Sequence, residues 1–187
     1  QVQPHFLYNV LLGIKQLCDS NPKKASEALE HLAFYMRRNL NSLTRKQLIP
    51  FDEEMCHVND YLYLEKMRFE EKLTVVLDLE YTDFFLPAMT VQPIAENAVR
   101  WGITKKKGGG TLTIKSQLTG EEVMISVMDD GAGFDPNEIR NDGKTHVGIE
   151  NVRQRLMLQC GGTLSISSKK GSGTTVTIRL PQKGRNK

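Results

Sequence analysis

Cysteine is scarce in this sequence. Its 187 residues include three, Cys18, Cys56 and Cys160, odd in number, far apart and without a CxxC pair. That excludes a disulfide framework or a zinc site of paired thiols, and points to free thiols in a reducing compartment. Long hydrophobic runs are missing too. The longest are a few residues, so no stretch reads as a membrane-spanning helix. Charge of one sign is also lacking: 25 Lys and Arg against 22 Asp and Glu leave a net +3, too little to argue for nucleic acid. There is no internal repeat, and no low-complexity stretch longer than KKKGGG at 105–110, which reads as a solvated loop. An initiating methionine and signal-peptide features are absent, and the chain opens inside a helical pattern, as expected of a fragment of a longer protein. What is present, 39% hydrophobic and 25% charged residues, is the composition of a globular chain with room for one or two domains.

The first half is helical in period. Leu7, Val10, Leu11, Ile14, Leu17 and Cys18 form one stripe, and Leu29, Leu32, Ala33, Met36, Leu40 and Leu43 form a second. Between them Asn21-Pro22 supplies an N-cap and a proline at the first helical position. Two amphipathic helices with so short a connection make an antiparallel hairpin. One hairpin leaves apolar surface over, so a four-helix arrangement in a homodimer is expected. Asp52 is read as the cap of a third helix, with Met55, Val58, Leu62 and Phe69 inward.

After Lys72 the period becomes two: Leu73, Val75, Leu77 and Leu79 alternate with polar residues, as in a half-buried strand. A helix is expected over 88–101, strands near 112–118 and 123–128, a helix over 148–159, and two last strands at 163–167 and 175–180. Strands in hairpin order mixed with helices argue an α+β sandwich, one sheet with helices on one face. The division falls near Glu71–Lys72, giving segments 1–71 and 72–187.

Three polar or glycine-rich punctuations stand at the ends of these elements: QPIAENAVRWG at 92–102, DDGAGF at 129–134 and GSGT at 171–174. Asn97 and Arg100, about one turn apart, can face one ligand. Gly131 and Gly133 follow a strand and let backbone approach a ligand closely. Together they suggest a nucleotide pocket. His5 and Asn9, at i and i+4, fall on the opposite side from the first apolar stripe and face solvent or an incoming domain. A neutral imidazole there can attack phosphorus, and Asn9 can bond the phosphoryl group or orient a water. Spacing alone favours the plainer reading, an ordinary surface histidine near a helix start. His31, His57 and His146 have no carboxylate or Cys at ligand spacing and read as ordinary residues.

QVQPHFLYN at 1–9 is similar to the phosphoacceptor motif of LytS/YehU-type sensor histidine kinases of two-component systems. The resemblance continues in IPFDEE at 49–54, YLYLEKMRF at 61–69, VQPIAENAVRWGI at 91–103, DDGAGF, GIENVRQRL at 148–156 and GSGTTVTIRLP at 171–181. The motifs keep the family's order over nearly the whole chain, which is far more specific than any one alone. The resemblance implies dimerisation and histidine phosphotransfer helices over 1–71. Over 72–187 it implies a Bergerat-type (GHKL) ATP-binding domain. It implies transfer of the ATP γ-phosphoryl group to His5, with Asn9 beside it, and then to an aspartate of a response regulator. Asn97 would hold Mg²⁺ through its side-chain carbonyl, Arg100 would lie near the phosphates, and Asp129 would receive the adenine amino group. Gly131 and Gly133 would leave room for the base. Gly148 would belong to the lid, and Gly171, Gly173 and Thr174 would close the pocket from the sheet side. The family also implies a membrane-anchored parent whose cytoplasmic portion this is.

Three positions depart from related patterns. Trp101 stands where these kinases usually carry His, and His146 replaces the first lid glycine, which should stiffen one hinge. Pro93 occupies the position of the water-activating Glu of gyrase-like relatives, which fits a kinase that spares ATP from water rather than an ATPase. The first two keep open an alternative, a dimeric binding module with a degenerate ATP lid and little or no kinase activity. Glu96 either assists the metal or base chemistry or pairs with Arg100 at i+4, the pairing being favoured.

Overall fold

The computed structural model describes residues 4–42, 47–135 and 147–182. Helices α1 (Pro4–Ser20) and α2 (Pro22–Ser42) form the expected hairpin. Asn21 caps α2, its Oδ1 accepting the Lys24 N–H at 3.0 Å. The buried stripes differ from those expected. In α1 the core takes Phe6, Val10 and Ile14, spaced four apart, while Leu11 is 47% exposed. In α2 it takes Ala25, Ala28, Leu32 and Tyr35, whereas Leu29 and Leu40 are 49% and 64% exposed. The two alanines let the helices approach where the hairpin turns, and the larger leucines are left on an outer face. Leu43 lies outside the described residues.

Helix α3 (Phe51–Phe69) is the spine of the molecule. Met55, Val58 and Leu62 are buried as expected, but so are Glu54, His57, Asp60 and Glu65, because α3 is covered on both sides. It packs against α1 and α2 on one side, and on the other against the elements that follow. Pro50 holds the cap position, so Asp52 is not the cap; with Glu53 and Glu54 it makes an acidic first turn that suits the helix dipole. His31 is not isolated: its Nδ1 lies 2.8 Å from Asp60 Oδ1 and its ring stacks on Tyr63, tying α2 to α3.

The sheet has the order β2 (Leu73–Leu79), β4 (Gly110–Thr119), β5 (Glu122–Asp129), β7 (Gly173–Pro181), β6 (Thr163–Lys169). Within this sheet β2 and β4 run parallel, and the other neighbours, the hairpins β4–β5 and β6–β7 and the central β5–β7 pair, run antiparallel. Alternate residues of β4, β5 and β7, such as Leu112, Ile114, Ile125, Val127, Val176 and Ile178, are buried. The helices α3, α4 (Gln92–Asn97) and α5 (Val147–Cys160) cover that face. Edge strand β2 departs from strict alternation, with Leu77 41% exposed. A short pairing of β1 (Leu48–Pro50) with β3 (Phe85–Pro87) went unread in the sequence.

The helix expected over 88–101 is broken into pieces. Met89 has φ 59° and Thr90 turns its hydroxyl onto the Pro87 carbonyl at 2.6 Å, so α4 begins only at Gln92 and ends at Asn97. A π-turn (Ala98–Gly102) and a 3₁₀ turn (Ile103–Lys105) follow. Among the described residues no helix is long and apolar enough to cross a membrane.

Candidate nucleotide and phosphoacceptor site

A narrow slot lies between the α4–π segment and the sheet. Ile94, Ala98, Val127 and Val176 give it apolar walls, and Asn97, Asp129 and Thr174 its polar groups. Asp129 ends β5 and is 8% exposed; its Oδ1 accepts the Gly131 N–H at 2.9 Å. Burial pushes its carboxyl above the ordinary aspartate range, opposed by the N–H groups of Gly131 and Thr174. A flat apolar slot with one buried acceptor suits an adenine ring, whose faces want apolar contact and whose amino group needs an oxygen. The slot holds about 60 Å³, small beside the roughly 300 Å³ of an ordinary ligand pocket. Trp101 and Phe134 also line the slot.

Gly131 and Gly133, expected to leave room for the base, are held close against neighbouring backbone. A Cβ on Gly131 would collide with the backbone of Gly102, and one on Gly133 (φ 56°) with the Lys169 carbonyl. A Cβ on Gly173 would meet the Asp129 carbonyl. Their missing side chains bring three backbone segments together and so seat Asp129. Ser168, which sequence reasoning passed over, fastens this junction. Its Oγ accepts the Phe134 N–H at 3.0 Å, donates to the Gly173 carbonyl at 3.1 Å and lies 2.9 Å from Thr174 Oγ1. Gly171 (φ 79°) takes the β6–β7 turn, and its N–H reaches Ala132 O at 2.6 Å. Gly148 lies in the first turn of α5, and a Cβ there would meet nothing among the described residues. His146 lies outside the described residues. KKKGGG is partly engaged, since Lys106 Nζ donates to the Asp130 carbonyl at 2.8 Å and lies 3.4 Å from its carboxylate.

Asn97 and Arg100 do not share one space. Asn97 lines the slot, while Arg100 lines a second cavity of about 350 Å³ next to it. The π-turn widens the helix just where the two residues would have stacked. Trp101 is the common wall of slot and cavity, with the Arg100 guanidinium 4.6 Å and the Lys105 ammonium 5.7 Å from its ring. His5 and Phe6 of α1 close the cavity from the other side, joined by Tyr35, Glu65, Arg68 and Glu96.

His5 is exposed, as expected, and the Asn9 amide nitrogen lies 3.1 Å from its Nδ1 and 3.3 Å from its Nε2. Glu96 is bonded otherwise than by the favoured pairing. Its Oε1 accepts from Gln92 at 2.8 Å and from the Tyr35 hydroxyl at 3.2 Å, with Arg100 adding a weaker Coulombic attraction. Burial raises its carboxyl above the ordinary range. Glu65 pairs with Arg68 through both oxygens, at 3.0 and 2.9 Å. Burial pushes its carboxyl up to about 7, with Arg68 as the chief opposing influence.

Glu54 positions the slot's helix. Fully buried, it accepts the N–H groups of Met89 (2.9 Å), Val91 (2.8 Å) and Gln92 (3.1 Å). Arg155 of α5 donates to the Met89 carbonyl from the other side. Nothing in local spacing could have joined residues 35 to 66 positions apart. Only their place in the motifs IPFDEE and GIENVRQRL marked them.

Two family descriptions match this sequence. “Histidine kinase” covers residues 1–73, and “Histidine kinase-, DNA gyrase B-, and HSP90-like ATPase” covers residues 86–184. The chain belongs to the histidine kinase family. This histidine kinase chain is 40% identical over 187 residues to the Bacillus subtilis protein YwpD, covering 96% of itself and 67% of that relative. It is 33% identical over 193 residues to the sensor protein LytS of Bacillus subtilis, covering 97% of itself and 32% of LytS. The chain thus spans about a third of the length of that relative. Among solved structures, the Acinetobacter baumannii histidine kinase AdeS shares the fold at a TM-score of 0.57 and 18% identity, with 94% of each chain covered.

Proposed function

We propose that the chain is the kinase core of a two-component sensor, moving the γ-phosphoryl group of ATP to a nitrogen of His5 and then to an aspartate of a response regulator. The observation that carries this reading is the shared wall at Trp101. On one side lies a slot suited to adenine, and on the other a cavity that includes the candidate acceptor His5. Phosphoryl transfer asks a protein mainly for positioning and charge neutralisation. Asn97 in the slot offers an oxygen suited to Mg²⁺, which would neutralise phosphate charge. In this reading Arg100, beyond Trp101, would neutralise the terminal phosphates, and Asp129 would accept from the adenine amino group. Pro93 in place of a water-activating carboxylate suits a kinase.

The outer leucines Leu11, Leu29 and Leu40, with Phe34, support a homodimer through α1 and α2. The division into phosphotransfer helices, 1–71, and ATP-binding domain, 72–187, follows the same reading, and so does its place as the cytoplasmic portion of a membrane-anchored sensor. Incubation with γ-labelled ATP and Mg²⁺ tests the proposal. Acid-labile label is expected on the wild type and lost in both His5→Gln and Asn97→Ala. Label that survives His5→Gln, or a wild type that binds ATP without ever acquiring label, overturns it.

A further inference from the structure

The cavity beside the slot is walled by both parts of one polypeptide. α1 gives His5 and Phe6, α2 gives Tyr35, and α3 gives Glu65 and Arg68; the π-turn and its sequel give Arg100, Trp101 and Lys105. A ligand leaving the slot past Trp101 meets the two cations resting on that ring, Arg100 at 4.6 Å and Lys105 at 5.7 Å. Glu65 is taken by Arg68, and Glu96 is bonded to Gln92 and Tyr35. Among the described residues Lys105 meets only the indole face, and an ammonium so placed is free to turn toward phosphate oxygens.

We propose that this cavity is the chamber of phosphoryl transfer, that it works within a single chain, and that Lys105 is a second cation, beside Arg100, on the path of the phosphoryl group. The inference rests on the kinase reading above. The lone pair of an unprotonated His5 nitrogen forms the N–P bond while the bond between the γ-phosphorus and the β,γ-bridging oxygen breaks, and the nucleoside diphosphate leaves with that electron pair. The proton on the other ring nitrogen passes to water, which the exposed ring meets directly. Charge on the three transferring oxygens needs cations at the seam, and Arg100 and Lys105 stand there.

Two doubly tagged heterodimers, purified through both tags, test the single-chain claim with γ-labelled ATP. Wild type paired with the His5→Gln/Asn97→Ala double variant is expected to label at about half the wild-type homodimer level. His5→Gln paired with Asn97→Ala is expected to stay at the background of either homodimer. Label in the second pairing overturns transfer within one chain, whether or not the first also labels. The kinase reading is judged separately by the wild-type homodimer run alongside, whose failure to label is a different result from a switch of pairing. For Lys105, the Lys105→Met variant is expected to label at least tenfold more slowly with unchanged affinity for ADP. An unchanged labelling rate removes Lys105 from the path, and rescue by Lys105→Arg distinguishes charge from packing.

Discussion

Glu54 and Arg155 hold one residue from opposite sides: the carboxylate takes the N–H of Met89 and the guanidinium takes its carbonyl. Met89 is thereby fixed at φ 59°, and Glu54 goes on to bind the N–H groups that open α4. The direction in which Asn97 enters the slot is set by a carboxylate from α3 and a cation from α5, so two motifs distant in sequence act on a third.

Glu54→Ala therefore leaves three buried N–H groups unmet, at about 1–3 kcal/mol for each unsatisfied group, not additively. A loss of about 3 kcal/mol in urea unfolding is expected, together with weaker ATP binding. Arg155→Met should cost less. A double-mutant cycle should show coupling above about 0.5 kcal/mol, since both act on one turn. Additive losses would mean the two contacts work independently.

The pH dependence of stability isolates Glu65. Its carboxyl ionises near 4.5 when unfolded but is pushed up to about 7 when folded. Between those values the folded chain holds a proton the unfolded chain has lost, so this group's contribution to stability falls as pH rises from about 4.5 to about 7. Glu65→Gln removes that slope. Relative to wild type, the variant should gain stability between pH 5 and pH 8, by at most about 3 kcal/mol. Glu96 and Glu54 shift in the same direction and stay in both proteins, so the difference reports Glu65. A variant whose deficit is constant with pH would show that the Arg68 pair keeps Glu65 ionised throughout.

The element types were legible in the sequence because period alone carries them. The hairpins β4–β5 and β6–β7 followed from strand spacing, whereas the β5–β7 pairing, the parallel β2–β4 pair and the short β1–β3 pairing did not. The buried stripes of α1 and α2 were misread for a physical reason. Both helices carry apolar residues on two faces, and hydropathy cannot say which face packs inside the chain. Leucine at 11, 29 and 40 outweighed alanine at 25 and 28, yet the small residues mark the close helix contact. Within the site, Asp129 and Thr174 line one slot and carry motifs the sequence displayed, whereas Glu54, Glu65, Arg155 and Ser168 act through long-range pairing that no local window contains. The π-turn that parts Asn97 from Arg100 had no sequence signal either.

Gly173→Ala tests the backbone junction behind Asp129. The position has φ 92°, and a Cβ would run into the Asp129 carbonyl, so the strands β5 and β7 must separate. A destabilisation above about 2 kcal/mol is expected, with loss of ATP binding even where the variant still folds. Gly171→Ala, with positive φ but open space around it, should cost less, about 1 kcal/mol, and keep nucleotide binding. Equal effects at the two sites would mean that backbone conformation alone matters.

Trp101 offers a direct reading of the slot. It is the chain's single tryptophan, is 43% exposed and lines the slot, so a bound nucleotide alters its surroundings. Titration with Mg-ATP should change tryptophan emission saturably, and Asp129→Asn should weaken that titration at least tenfold. The weakening has a chemical cause. An amide keeps one carbonyl oxygen but places an NH₂ where the carboxylate had its second acceptor, so a donor faces either the Gly131 N–H or the adenine amino group. GTP presents a carbonyl in place of that amino group and should bind wild type poorly, and the Asn variant should narrow the gap between the two nucleotides. If ATP and GTP quench wild type alike, Asp129 does not read the base, and the slot's preference must come from its apolar walls.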